Sequence, residues 1–291
     1  MAEVCAVTGA NGYVGSCVAR ELVDTGWEVR ALLRPGSQPA SSAWTSSSFE
    51  LGGELEPGAL AGARALVHLA HDYEARSWTD VKRINVEGSR RLFAAARESG
   101  VERILFVSST AAFPGARSMY GRAKLEIERV ARDNGAAIVR PGLVWGSGKA
   151  SMFGALQRAV ERLPVVPLVV PPGLELSMVH EEDLAEFVCG LLRCRTRCSD
   201  ELLVAAAEQR ITFIDLLRSL ACRTGRRPRF VRFPWRGAWL GLRVIELLGM
   251  SPPFRSDSLL SLATSDPEPG SHATDSVERY GVRLRPYPLR D

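Results

Sequence analysis

Tyr120 and Lys124 stand four residues apart in the segment SMYGRAK, which carries helical periodicity, so their side chains project from one face of a helix. A free tyrosine has a pKa of about 10 and is a poor acid or base at neutral pH. An ammonium group held nearby favours the phenolate, lowers that value and makes the phenol a usable general acid or base. Taken alone, the spacing equally suits two solvated residues on a helix surface. The neighbouring motifs separate the two readings.

Before the pair, the apolar run from Ile104 ends in Ser108, Ser109 and Thr110, hydroxyls at the end of a predicted strand. Near the start of the chain, VTGANGYVG follows another apolar run and carries Gly9, Gly12 and Gly15 at a spacing of three. Asn11 stands where the G-x-G-x-x-G fingerprint has its second glycine. The physical task is still met: Gly9 permits a tight turn, Gly12 lets backbone approach a pyrophosphate at the positive end of the next helix, and Gly15 lets that helix pack close to the sheet. Gly9, Asn11, Gly12, Tyr13, Val14 and Gly15 are accordingly read as a dinucleotide cradle. The second strand ends in VRALLRPGS, with Leu33 where an acid would bind a ribose 2′-hydroxyl and Arg34 next to it. A guanidinium there suits a 2′-phosphate, which favours NADP(H) over NAD(H) and leaves NAD(H) open. A solvated loop charge is the plain alternative for Arg34.

These residues need a frame, and the first half of the chain supplies one by alternating short β-type runs with amphipathic helices. Strands are expected near 4–8, 28–33, 48–51, 65–69, 104–108 and 137–140, with helices near 13–25, 80–99 and 119–134. A helix near 152–162 follows, then the segment PVVPLVVPPG, a helix from about Glu181, and a polar loop near 265–271. The expected fold is α/β, a doubly wound parallel-sheet Rossmann fold with a smaller, mostly helical C-terminal substrate lobe. Residues 1–146, with 177–204 returning to them, form the dinucleotide domain, and 147–176 with 205–291 form the lobe.

Thr8, Gly9, Gly12 and Gly15 fit the pattern T-G-x-x-G-x-x-G. HLA at His68–Ala70, Asn85, SST at Ser108–Thr110, YGRAK at Tyr120–Lys124, RPGLVWG at Arg140–Gly146 and VHEEDLA at Val179–Ala185 follow in order. Over roughly its first two thirds the chain resembles the extended short-chain dehydrogenase/reductase family, also called the NAD-dependent epimerase/dehydratase family. The resemblance implies that Tyr120 exchanges a proton with the substrate oxygen, that Lys124 holds the nicotinamide ribose and tunes Tyr120, and that Thr110 hydrogen-bonds the reacting oxygen. It also implies dinucleotide contacts from Glu54 and Leu55, which stand in for a G-D-L motif against the adenine, and from Leu69, Ala70, Ser108 and Pro141. His180 and Asp183 are read as structural, His71 has no assigned role, and a homodimer through the fourth and fifth helices is implied.

The chain departs from the sugar-nucleotide members. Only ten positions separate Thr110 from Tyr120, where those members insert a longer loop, and Leu143 and Leu176 stand where they carry polar contacts to a diphosphate. An apolar pocket accepts a dianion only at a high desolvation cost. The basic segment RRPRFVRFPWR offers replacement contacts, or is a strand and loop with solvated arginines. Trp235–Met250 reads as a cap over the substrate cavity, with a membrane-surface helix as the alternative.

A net charge of +4 is too mild to make nucleic acid the default partner. With no signal-type segment, no apolar run of membrane-spanning length and six cysteines lying mostly in apolar stretches, a cytoplasmic protein with reduced thiols, no metal site and no stable membrane insertion is expected. The functional expectation is an NAD(P)-dependent oxidoreductase acting on a carbonyl or secondary alcohol of a mainly apolar small molecule. A nucleotide-sugar epimerase or dehydratase with retained cofactor, and a non-catalytic dinucleotide sensor or scaffold, are the other readings.

Overall fold

Val4–Thr8 (β1) is apolar without alternation, as a strand covered on both faces must be. It opens a computed structural model that describes residues 2–149, 151–171, 173–194, 202–250, 252, 254–264 and 280–289. Cys198 and the segment 265–271 lie outside the described residues. In chain order there follow α1 (Tyr13–Asp24), β2 (Glu28–Leu33), β3 (Thr45–Ser48), β4 (Ala63–His68), α2 (Trp78–Val81), a π-helical turn (Lys82–Val86), α3 (Glu87–Glu98), β5 (Arg103–Val107), α4 (Met119–Asp133) and β6 (Ala137–Pro141). The rest comprises β7 (Leu143–Trp145), α5 (Met152–Arg162), β8 (Val165–Leu168), β9 (Glu175–His180), α6 (Glu181–Arg193), β10 (Leu202–Ala205), β11 (Arg210–Thr212), α7 (Phe213–Arg223), β12 (Arg229–Arg232), α8 (Trp235–Leu247) and α9 (Ser256–Ala263).

A seven-stranded sheet runs β10-β6-β5-β4-β1-β2-β3, every neighbour parallel. The order reverses between β1 and β4, so the crevice outside the carboxyl ends of those strands is the natural binding site of a doubly wound sheet. Successive side chains leave a strand on opposite faces. Cys5, Val7, Ala65, Val67, Leu105 and Val107 therefore pack with α1 and α6 on one side. Ala6, Leu66, Ile104 and Phe106 pack with α3 and α4 on the other. Parallel neighbours need crossovers, and these helices are the crossovers.

The lobe has its own core, in which Trp145, Phe153, Leu156, Met178, Leu216 and Tyr287 come together. It contains two small sheets as well as helices: β11-β9-β7 and the parallel pair β12-β8. The basic segment thus includes a strand, because Arg229–Arg232 aligns with Val165–Leu168. The third strand lies at Thr45–Ser48 rather than 48–51. Its serines pair with Arg30–Leu33, and buried Trp44 and Phe49 anchor both ends, so tertiary anchoring overrides the weak strand propensity of serine. The expected helix over 80–99 starts at Trp78 and loosens into the π-turn, where Asn85 turns inward.

Candidate active site

The glycine turn lies against the end of β4. Gly9 has φ +70°, and a Cβ placed on it would sit 3.0 Å from the Ala70 amide nitrogen, so both the backbone conformation and the close approach require glycine. Gly15 is tighter still: its Cβ would lie 2.0 Å from the Gly9 carbonyl oxygen. The Gly12 N–H donates to Gly9 O at 2.8 Å, and Gly12 caps α1 in an extended conformation, so free amides at the head of α1 face the crevice. Tyr13 and Val14 begin α1. This is a cradle that side chains would fill, and it fits a dinucleotide pyrophosphate. Thr8 fixes it from beneath. Its Oγ1 accepts the Leu69 and Ala70 amides at 3.1 and 3.2 Å and donates to His68 Nδ1 at 2.7 Å; His68 Nε2 then donates to Ser89 Oγ at 2.9 Å. Burial holds His68 neutral, its pKa pushed down to about 3.

Tyr120 and Lys124 lie in the first turns of α4 at the carboxyl end of β5. Ser118 caps that helix by accepting the Gly121 amide at 3.0 Å, and the Met119 and Tyr120 amides donate to the Asp257 carboxylate of α9 at 2.7 and 3.1 Å. The Lys124 ammonium is buried, donates to Val107 O at 2.8 Å, and lies 5.9 Å from the centre of the Tyr120 ring. Burial pushes it down to about 7, with Glu128 pulling the other way. Burial also raises the Tyr120 phenol above its ordinary value, while the hydroxyls of Ser109 and Tyr73, directed at its oxygen, favour the phenolate. His71 completes an aromatic wall: its ring is 4.9 Å from that of Tyr120 and 4.8 Å from that of Tyr73, and Tyr73 stacks on Tyr120 at 5.8 Å. His71 Nδ1 is buried with no partner among the described residues.

The remaining sequence candidates divide. Thr110 and Pro141 meet at the strand ends, the Thr110 amide donating to Pro141 O at 3.1 Å. The Ser108 hydroxyl donates instead to Glu128 Oε1 at 2.6 Å, beneath the site. Asn11 spans to the loop after β2, donating to Gln38 O at 2.8 Å and accepting the Ala40 amide at 2.9 Å. Arg34 stands on that loop with its guanidinium 3.9 Å from Asp72 and its side chain 60% exposed. Glu54 is exposed, and Leu55 bridges back to Phe49. Leu176 is 6% exposed in the lobe core with Leu143 packed against it.

Sequence reasoning gave no role to Ser109, Asp257 or the buried Glu128, whose carboxylate takes a bidentate hydrogen bond from Arg140 at 2.7 Å. Glu128 had a local signal, four residues after Lys124 on the same helix face. Asp257 had none, lying 137 residues from Tyr120. No cluster of His, Cys, Asp or Glu among the described residues is placed to hold a metal ion.

The chain has known relatives. The NAD dependent epimerase/dehydratase family matches residues 5–193. The chain is 34% identical over 242 residues to a ceramide reductase of Caulobacter vibrioides (strain NA1000 / CB15N), a match covering 79% of this chain and 74% of that protein. It is 27% identical over 212 residues to a 3-beta-hydroxysteroid dehydrogenase of Mycolicibacterium neoaurum, covering 60% and 57%. The solved structure of gox2253 superposes with a TM-score of 0.76 at 26% identity, covering 98% of this chain and 94% of that one.

Proposed function

The chain belongs to the NAD dependent epimerase/dehydratase family, enzymes of the extended short-chain dehydrogenase/reductase type, and from that premise we propose a nicotinamide-dependent reductase, NADPH favoured, that interconverts a carbonyl and a secondary alcohol in a mainly apolar small molecule. The observation that carries the proposal is the phenol of Tyr120 at the carboxyl end of β5, hydrogen-bonded by the Ser109 hydroxyl, with the buried Lys124 ammonium 5.9 Å from its ring centre. The activities of the ceramide and hydroxysteroid relatives support an apolar substrate, as does the aromatic wall of His71 and Tyr73.

A bound nicotinamide would supply the hydride; the cradle from Gly9 to Gly15 would hold its pyrophosphate and Lys124 its ribose. The chain's own residues handle the proton. Burial keeps Tyr120 protonated at neutral pH, so it can give its proton to a carbonyl oxygen as charge develops there. Ser109 and Tyr73 donate to the phenolate left behind, and the Lys124 ammonium stabilises it electrostatically. In the oxidative direction the same phenolate takes the alcohol proton.

The test is NADPH and NADH consumption with a panel of water-soluble apolar ketones. Turnover with the wild type and a loss of about 10²–10⁴ in kcat for Tyr120→Phe, with nucleotide binding retained, is expected. Wild-type protein that releases stoichiometric NAD⁺ on denaturation and reduces none of them would overturn the reading in favour of a cofactor regenerated in place.

A further inference from the structure

We propose that α8 and its flanking arginines dock on the surface of a fluid bilayer bearing anionic headgroups, so that the enzyme takes a lipid substrate from the membrane. The helix has thirteen residues and not one is buried. Its inward side is Trp235, Ala238, Trp239, Leu242 and Glu246, each partly covered. The outward side is equally apolar: Leu240, Val244, Leu247 and Leu248 are 58%, 47%, 73% and 70% exposed and fall at helical spacing along one stripe. Val231 and Phe233, just before the helix, are each 50% exposed and extend the patch. Contiguous apolar surface of this kind marks a docking site rather than ordinary scatter.

Charge selects the occupant. Arg226, Arg227, Arg229, Arg232 and Arg236 are exposed on the segment that leads into α8 and on its first turn, and none pairs with a carboxylate among the described residues. The only acid between residues 226 and 250 is Glu246, which faces Arg243 at 3.7 Å and accepts the Ser256 amide and hydroxyl. A second copy of this chain on a two-fold axis would set these arginines against one another, which disfavours it. Apolar side chains beneath a basic rim match the acyl and headgroup layers of an anionic bilayer. No helix among the described residues is long and apolar enough to cross a membrane, so the contact is a surface one.

The patch also lies at the mouth of the site. Arg76, on the loop that carries His71 and Tyr73, donates to the Glu246 carbonyl of α8 at 3.4 Å, and α9, packed on α8, holds the Tyr120 helix through Asp257. A lipid leaving the bilayer at α8 would meet the aromatic wall without crossing water. Docking rests on the surface alone, whereas delivery of substrate rests on the reductase reading above.

The full chain is sedimented with vesicles of phosphatidylcholine, with and without phosphatidylglycerol. Binding to the anionic vesicles that weakens with salt is expected, with a loss of roughly fivefold for each arginine removed in Arg232→Gln/Arg236→Gln. Leu247→Ser/Leu248→Ser should release the protein at all salt concentrations while its melting temperature and nucleotide binding stay at wild-type values. Protein that stays in the supernatant at low salt overturns the proposal, as do folded variants that bind like wild type. A wild-type dimer converted to a monomer by the leucine variant, without vesicle binding, assigns the face to a second copy instead. Failure to sediment alongside turnover of a soluble ketone sinks docking alone; sedimentation without turnover of any ketone sinks the reductase alone.

Discussion

At the scale of single residues the site turns on two buried titratable groups. The Lys124 ammonium, pushed down to about 7 by burial, is charged below that pH and neutral above it. In the proposed reaction only the charged form stabilises the phenolate of Tyr120, so kcat for reduction should fall as pH rises through about 7. Lys124→Met should flatten that limb of the profile and lower kcat throughout; a variant that keeps the wild-type limb excludes Lys124 as its origin. His68 gives a second pH effect, on stability. Its folded pKa is about 3, against about 6.5 when exposed, so the unfolded chain binds more protons between those values and stability is lost as pH falls through that window. Urea midpoints at neutral pH and at about pH 4 should converge in His68→Gln relative to wild type, the variant being weaker at neutral pH where it loses the link to Thr8.

At the scale of elements, α4 is held from three sides. Lys124 reaches Val107 on β5, Glu128 clamps Arg140 on β6, and Asp257 on α9 caps its first amides. The last contact is the only one of these that comes from the lobe, and it fixes the backbone of Tyr120 itself. Asp257→Ala removes two acceptors from a helix start, which costs about 1 kcal/mol of stability. The expected kinetic signature is a larger fall in kcat than in nucleotide affinity, with partial recovery in Asp257→Asn, which keeps one acceptor oxygen. An equal loss in both, or no recovery, would show that Asp257 merely holds the lobe together. The local pieces here were legible in sequence: the Tyr/Lys spacing and the hydroxyls before it declare a helix and a strand end. Ser109 beside the phenol was not, because neighbouring hydroxyls in SST differ only in the direction the folded backbone gives them.

At the scale of the molecule, Asp257 of α9 holds the start of α4, so a nucleotide bound as proposed should stabilise the sheet and the lobe together through that contact. A ligand that binds only the folded state adds about 2.7 kcal/mol at a hundredfold excess over Kd. Melting curves should therefore rise more with NADPH than with NADH at equal concentration, and Arg34→Ala should remove the difference. The guanidinium must leave Asp72, 3.9 Å away, to reach a 2′-phosphate, so that difference is expected to be about tenfold in affinity, at the low end for a charge-assisted hydrogen bond. Equal shifts with both nucleotides would remove Arg34 from cofactor choice.

The sequence by itself determined the doubly wound sheet, the glycine turn and the Tyr/Lys helix, since strand and helix periods, a left-handed glycine and an i, i+4 pair are properties of a few consecutive residues. Tertiary structure alone decided what those residues face. It set Asp257 on the helix of Tyr120, gave the Ser108 hydroxyl to Glu128, placed Arg34 opposite Asp72, buried Leu176 in the lobe core and left both sides of α8 apolar with only one partly covered. Each of these is a contact across long stretches of chain or a matter of which side of a helix is covered, and burial of that kind is set by packing rather than by any local pattern.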